Sequence, residues 1–357
     1  MTQPTVNQLP RTIGFDLGAK SSTFCVLGSA GKEIEGGSIP MSPERVRQFF
    51  TEQQPSRVII EASGSSRWTA KIGMELGHEV IIANPRKIHH ITKSYTKSDG
   101  NDAFRLADLG QVRPRLLSPV RLRSDKAHDG RMHQRVRAQL VATRTALINC
   151  VRGCARSLGH ALPSCSTRAF AKRARAALPA QALTILTPLL EQLEVLGSHI
   201  SDCDRQTERL GKDVFPEAGI LRQVAGVGPV LSLAFVCSID DPSVFKDSRS
   251  VGAFFGLAPK SRQSGDSSPQ LRISKQGDAE TRRLLVSAAT YILGPFGPDC
   301  DLRRYGKRIA AAGSQVARAK ARIAVARKLA ILLHRLWIGG EVYQPLKTSK
   351  PTKARAN

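Results

Sequence analysis

The chain has 357 residues, enough for two or three domains with real cores. Its 54 Lys and Arg against 29 Asp and Glu leave a formal net charge of +25. That is well beyond the ~2–8 of ordinary solubility charge in a small domain, so an extended polyanion is the expected partner, nucleic acid ahead of a membrane surface. No apolar run nears the ~20 residues that span a bilayer, and residues 1–10 hold no signal-peptide core. Seven cysteines, odd in number and without CxxC pairs, fit a reduced cytosolic compartment and no zinc site. Cys150 and Cys154, four apart, read as small buried apolar residues.

In chain order, Thr12-Ile13-Gly14-Phe15-Asp16-Leu17-Gly18 is a short apolar strand with an acid set in it, and residues 22–27 form a second. A turn over 28–31 leads to a third strand over 32–39, a hairpin meander. Ser42 caps a helix with Pro43 first and Val46, Phe49 and Phe50 on its apolar face. Residues 57–62 are a buried strand with Glu61 at its end, a helix runs over about 68–76, and 79–83 is a fifth strand. Asn84-Pro85 breaks the chain. The segment from Lys97 to Leu109 then starts a helix, with Ser98 or Asp99 as cap, Phe104, Leu106 and Leu109 as apolar positions, and Gly110 as its end. Asp99 and Asp102 are three apart and share a helix face. On the plainest reading two acids in a first turn simply offset the helix dipole; two more acids upstream open a second one.

Three strands, helix, strand, helix, strand, helix is the order of a ribonuclease-H-like fold. In it the first and fourth strands are neighbours, which sets Asp16 beside Glu61 with the last helix across the same edge. Unit charges ~4 Å apart repel by about 4 kcal/mol at an effective dielectric near 20, so four such carboxylates require protons or cations. Oxygen ligands suit Mg²⁺ or Mn²⁺, and paired metals serve in-line attack on a phosphodiester.

Beyond residue 120 the chain becomes helical and basic, with Arg131, Arg135, Arg137, Arg144, Arg152 and Arg156 among apolar Val136, Leu140, Leu147 and Val151. Such arginine density favours phosphate contact. Leu189, Leu193, Leu196, Ile200, Cys203, Thr207 and Leu210 then fall three and four apart. This is either a coiled-coil seam between chains or one helix packed on its own domain. Residues 221–234, with Gly226-Val227-Gly228, resemble the hairpin of a helix-hairpin-helix element, where glycine lets backbone amides approach a phosphate. Residues 256–278 are a polar loop rich in Gly and Ser, carrying Lys260, Arg262, Arg272 and Lys275 and followed by a helix from near Asp278. Such a loop binds phosphate or supplies a nucleophile, and composition does not rank Ser261, Ser264, Ser267, Ser268 and Ser274. A long helix over 315–337 and a basic tail from Lys347 complete the chain.

In combination these motifs resemble the DEDD transposases of insertion sequences, recombinases guided by a bridge RNA. They are Gly14-Phe15-Asp16 with Lys20, Glu61-Ala62-Ser63-Gly64, Lys97-Ser98-Asp99-Gly100-Asn101-Asp102-Ala103, Gly226-Val227-Gly228, Gly256-Leu257-Ala258-Pro259, Ser264-Gly265 and Ser274-Lys275-Gln276-Gly277. The resemblance implies a RuvC-like α/β domain over 11–115 whose Asp16, Glu61, Asp99 and Asp102 hold Mg²⁺, with Mn²⁺ as substitute. It implies a helical, coiled-coil region over 120–215, a mostly helical transposase domain over 216–345 and a disordered tail over 346–357. Ser264 aligns with a serine that attacks DNA and forms a phosphoserine link. Lys20, Lys97, Gly226, Gly228, Lys260, Arg262, Arg272 and Lys275 are the expected nucleic-acid contacts. The expected partners are donor and target DNA, a noncoding guide RNA and further copies of the chain in a dimer or tetramer, in the bacterial cytoplasm at the nucleoid. The expected activity is excision and insertion of a mobile element. The rivals are a metal-dependent junction nuclease in which water attacks, and a non-catalytic nucleic-acid-binding remnant.

Overall fold

The computed structural model describes residues 11–87, 99–260 and 271–347, with Asp99 described in its backbone only. The chain divides into two compact units, Met1–Leu122 and Arg123–Asn357.

The first unit is a five-stranded sheet with helices on both faces. Its strands are β1 (Thr12–Leu17), β2 (Ser21–Leu27), β3 (Glu33–Pro40), β4 (Arg57–Glu61) and β5 (Glu79–Ala83), in the spatial order β3-β2-β1-β4-β5. β2 is antiparallel to β1 and to β3, whereas β4 runs parallel to β1 and to β5. The first and fourth strands are thus neighbours, as expected from the element order. Alternation along each strand separates two cores. Ile13, Phe15, Phe24, Val26, Val58 and Ile60 face α1 (Pro43–Glu52) and α2 (Ser66–Glu75), meeting Val46, Phe49, Phe50 and Ile72. Ser42 caps α1, accepting from Arg45 N at 3.3 Å. The opposite face meets α3 (Asp99–Val112) through Ile59, Ala83 and Leu106, and through Cys25, Leu27, Ala103 and Ala107. Gly110 does not end α3, which runs on to Val112. A Cβ at Gly110 would press into the Ile59 side chain, so this glycine serves sheet packing rather than helix termination.

The second unit is helical. α4 (Asp125–Ser157) is followed by α5 (Phe170–Ala177) and α6 (Ala180–Arg209). α4 and α6 pack antiparallel. Near one end His133 Nε2 lies 3.1 Å from Thr207 Oγ1, and near the other Ile148, Val151 and Ala155 share a core with Ala182, Leu186 and Leu190. The expected seam is therefore covered inside this chain at Leu193, Ile200 and Thr207. Val136, an expected apolar position, is exposed; so is Cys150, while Cys154 is half-buried. After a π-turn (Leu210–Val214) come α7 (Glu217–Leu221), α8 (Pro229–Ile239), α9 (Ser250–Phe254), α10 (Ala279–Leu293), α11 (Asp301–Ala310) and α12 (Gln315–Gly339). Residues 231–239 of α8 are all buried, in a core that includes Phe255, Leu285, Ile292, Leu329 and Leu333. Among the described residues no helix is long and apolar enough to cross a membrane.

Candidate active site and nucleic-acid interface

Register brings the expected acids to one end of the sheet. Phe15 of β1 is level with Ile60 of the parallel β4, so one step further sets Asp16 level with Glu61, the last residue of β4. Successive side chains point to opposite faces. Asp16 lies two beyond Gly14 and Glu61 two beyond Ile59, so both belong to the face that α3 covers.

α3 crosses that face antiparallel to β1. Near its C-terminal end, Gln111 Nε2 donates to Gly28 O at 2.8 Å, just past β2, and Gly110 O accepts from Arg57 Nη1 at 3.3 Å, at the start of β4. Midway, a Cβ on Gly14 would fall into the carbonyl oxygen of Ala103, so strand and helix touch main chain to main chain. The first turn of α3, with Asp99 and Asp102, consequently lies toward the strand ends that carry Asp16 and Glu61. Asp16, Glu61 and Asp102 are each half-buried. A helix N-terminus also favours nearby anions. Lys20 is exposed in the β1–β2 turn at the same end, where its carbonyl accepts from Met41 N at 2.8 Å.

Among the described residues no three His, Cys, Asp or Glu side chains are gathered closely enough to hold a metal, and the Asp99 side chain is outside that set. The fit to a cation is one of donor chemistry and backbone placement. Carboxylate oxygens suit Mg²⁺ or Mn²⁺, and the residues that bear them sit on two strand ends and a helix start at one end of the sheet. Burial raises the thiols of Cys25 and Cys237 to about 11 and about 12, keeping both protonated.

The second unit holds a different construction. Residues on either side of the serine-rich loop form a small antiparallel base. Pro259 bridges Ile273, Lys260 N donates to Arg272 O at 3.0 Å, Ser274 N donates to Ala258 O at 2.9 Å, and Lys275 N donates to Gly256 O at 3.1 Å. Gly256 and Gly277 both have positive φ, +67° and +70°, and a Cβ on either would strike backbone, of Gln276 and Phe254 respectively. Only glycine fits there. Arg282 of α10 ties the base down by donating to Gln276 O at 2.7 Å and Phe255 O at 3.1 Å. Lys260, Arg272 and Lys275 are exposed around this base. Ser264, Arg262 and Lys97 lie outside the described residues. Gly226, with φ +84°, turns the chain between α7 and α8, and Gly228 is the residue preceding α8.

One pair that anchors α10 is not visible along the chain. Asp278 accepts from Thr281 N at 2.9 Å as its cap and forms an ion pair with Arg131 of α4. Burial works to raise the Asp278 carboxyl. The Arg131 charge and the amides of Thr281 and Glu280 outweigh it and hold the group below the usual carboxylate range. Partners 147 positions apart leave no local signal.

A transposase family model of the DEDD, IS110 type matches residues 13–158, covering the sheet and α3. A second, described as the transposase IS116/IS110/IS902 family, matches residues 218–299, covering the Gly226 turn, the loop base and α10. The chain is 31% identical over 268 residues to a probable family 20 transposase of Pseudomonas aeruginosa, covering 72% of this chain and 78% of that protein. It is 27% identical over 353 residues to a putative transposase of Sinorhizobium fredii, covering 96% and 87% of the two chains. The transposase of insertion sequence element IS1328 of Yersinia enterocolitica is 27% identical over 289 residues, 78% of this chain and 82% of its own.

Proposed function

The chain belongs to the IS116/IS110/IS902 family of transposases, and on that footing we propose that it excises and inserts an insertion sequence by serine attack on DNA. In this reading the N-terminal unit is a RuvC-like domain, the helical stem follows it, and residues 216–345 form the transposase domain that carries the nucleophile. Ser264 Oγ gives up its proton and bonds to phosphorus as the bond from phosphorus to a deoxyribose oxygen breaks. The released sugar hydroxyl takes up a proton. The phosphoserine link keeps the strand ready for rejoining.

Asp16, Glu61, Asp99 and Asp102 would hold Mg²⁺, or Mn²⁺ in its place, which when bound offsets charge developing on the phosphate oxygens. Lys20, Lys97, Lys260, Arg262, Arg272 and Lys275 hold backbone phosphates, and Gly226 and Gly228 let main-chain amides approach one. A noncoding RNA of the element selects the DNA, which puts target choice outside the protein, and the working particle is a dimer or tetramer. The observation that carries the reading is the common sheet end shared by Asp16, Glu61 and the start of α3, in a chain of net charge +25.

The test is an incubation with element-end DNA, the noncoding RNA and Mg²⁺, read on a denaturing gel. The wild-type protein leaves a covalent protein–DNA adduct. Ser264→Ala loses the adduct and retains salt-dependent DNA binding. An adduct that persists in that variant misassigns the nucleophile, and hydrolysed ends without adduct from the wild type make water the attacking group.

A further inference from the structure

The α4–α6 hairpin carries a charged cleft for which the reaction above has no use. It has a volume of about 700 Å³ and is lined by Arg144 of α4, Arg168 just before α5, and Gly197, Ser198 and Arg205 of α6. Its two carboxylates are already engaged. Asp204 accepts from Arg137 Nε at 2.6 Å and Glu194 from Arg175 Nε at 3.3 Å. Arg205 is held by Asp202.

Arg144 and Arg168 form no ion pair among the described residues. The Nε of Arg144 is sealed from water and has no acceptor among the described residues. The Arg144 guanidinium is held below its usual range, first by burial, then by the charge of Arg137, with Arg168 adding to it and Asp204 only partly relieving it. Two unpaired cations in a cleft whose acids are spent leave a local excess of positive charge. A polyvalent oxyanion answers it best, because guanidinium groups pair with phosphate in a planar, forked geometry.

We propose that this cleft seats a backbone phosphate of a nucleic acid, gripped by Arg144 and Arg168. RNA and DNA share that phosphodiester chemistry. The proposal leans on the transposase reading for the source of the phosphate and is independent of Ser264 and the four acids. It makes the hairpin a nucleic-acid handle. Gly197 offers a way in, since a Cβ there would meet nothing within 4 Å and glycine is a poor residue in a helix interior. A side chain at 197 therefore enters the cleft without cost to α6.

The experiment measures binding of the full chain to a short single-stranded RNA and to a duplex DNA of unrelated sequence, across a salt series. Arg144→Gln and Gly197→Glu are each expected to weaken at least one probe about tenfold at low salt and to lower the salt slope by about one. Gly197→Ala, which adds one methyl group, binds as wild type. Loss for RNA alone assigns the seat to RNA, loss for DNA alone assigns it to DNA, and loss for both makes it a general phosphate grip. If both charge-altering variants bind both probes like the wild type, or if Gly197→Ala loses as much as Gly197→Glu, the seat does not exist. Adduct formation by Ser264 is read separately, so failure here leaves that chemistry standing and the reverse also holds.

Discussion

The sheet end and the loop base are built in opposite ways. At the sheet end, Asp16 and Glu61 belong to strands whose pairing continues through the unit, so their relative level is set by a ladder of backbone hydrogen bonds. At the loop base the bridge of Pro259 with Ile273, the backbone hydrogen bonds beside it and two glycines of positive φ join residues 256–260 to residues 272–277. The first arrangement rests on an extended ladder of strand pairing. The second rests on a short pairing of two chain stretches and on glycines that alone fit their positions. Under the proposed reaction, groups that meet a cation gain from a level set by strand pairing.

Four substitutions break or sharpen that contrast. Asp102→Asn removes charge from the sheet end without disturbing the fold. Strand exchange on element DNA should fall by about a thousandfold or more, with thermal stability unchanged; undiminished exchange removes the argument for a cation there. Gly14→Leu drives a side chain into the main chain of α3. It should cost about 4 kcal/mol or more in the first unit, seen as loss of that unit's unfolding transition in denaturant. Gly277→Ala tests the loop base, where the positive φ and the Phe254 carbonyl both oppose a Cβ. A loss of about 2–3 kcal/mol is expected, with adduct formation impaired and DNA binding kept.

Asp278→Asn keeps a cap at α10 but abolishes the ion pair with Arg131, and about 2 kcal/mol should be lost at neutral pH. The sign of its pH dependence follows from the depressed carboxyl. Its contribution is fully present above the unfolded value near ~4 and is lost as pH falls through the lower folded value. Acid titration monitored by circular dichroism should therefore show the gap between wild type and variant closing below about pH 4.

Much of the sheet was legible because its signals are local. The alternation around Phe15, the Ser42-Pro43 cap and the run 57–61 each declare an element within a few residues, and element order alone makes the first and fourth strands neighbours. Gly110 misled because glycine stops helices and also makes room for a partner; the demand of Ile59 is invisible along the chain. The heptad spacing of α6 was visible, but what covers it was not, since any apolar stripe looks alike whether its partner is another copy or α4 of the same chain. At the loop, Gly256 and Gly277 stood out as motif residues, yet their reason, two close backbone approaches, lives in the third dimension. The Arg131–Asp278 pair and the Arg144 cleft depend on partners far apart in sequence.

The approach of Gly14 to Ala103 has a consequence for how such a chain can change over time. Where bulky side chains separate a helix from a sheet, each exchange of Leu for Val or Ile shifts the gap. Here the gap is set by peptide units, which substitution cannot resize. At this one crossing the distance between β1 and α3 rests on main chain rather than on the size of any side chain.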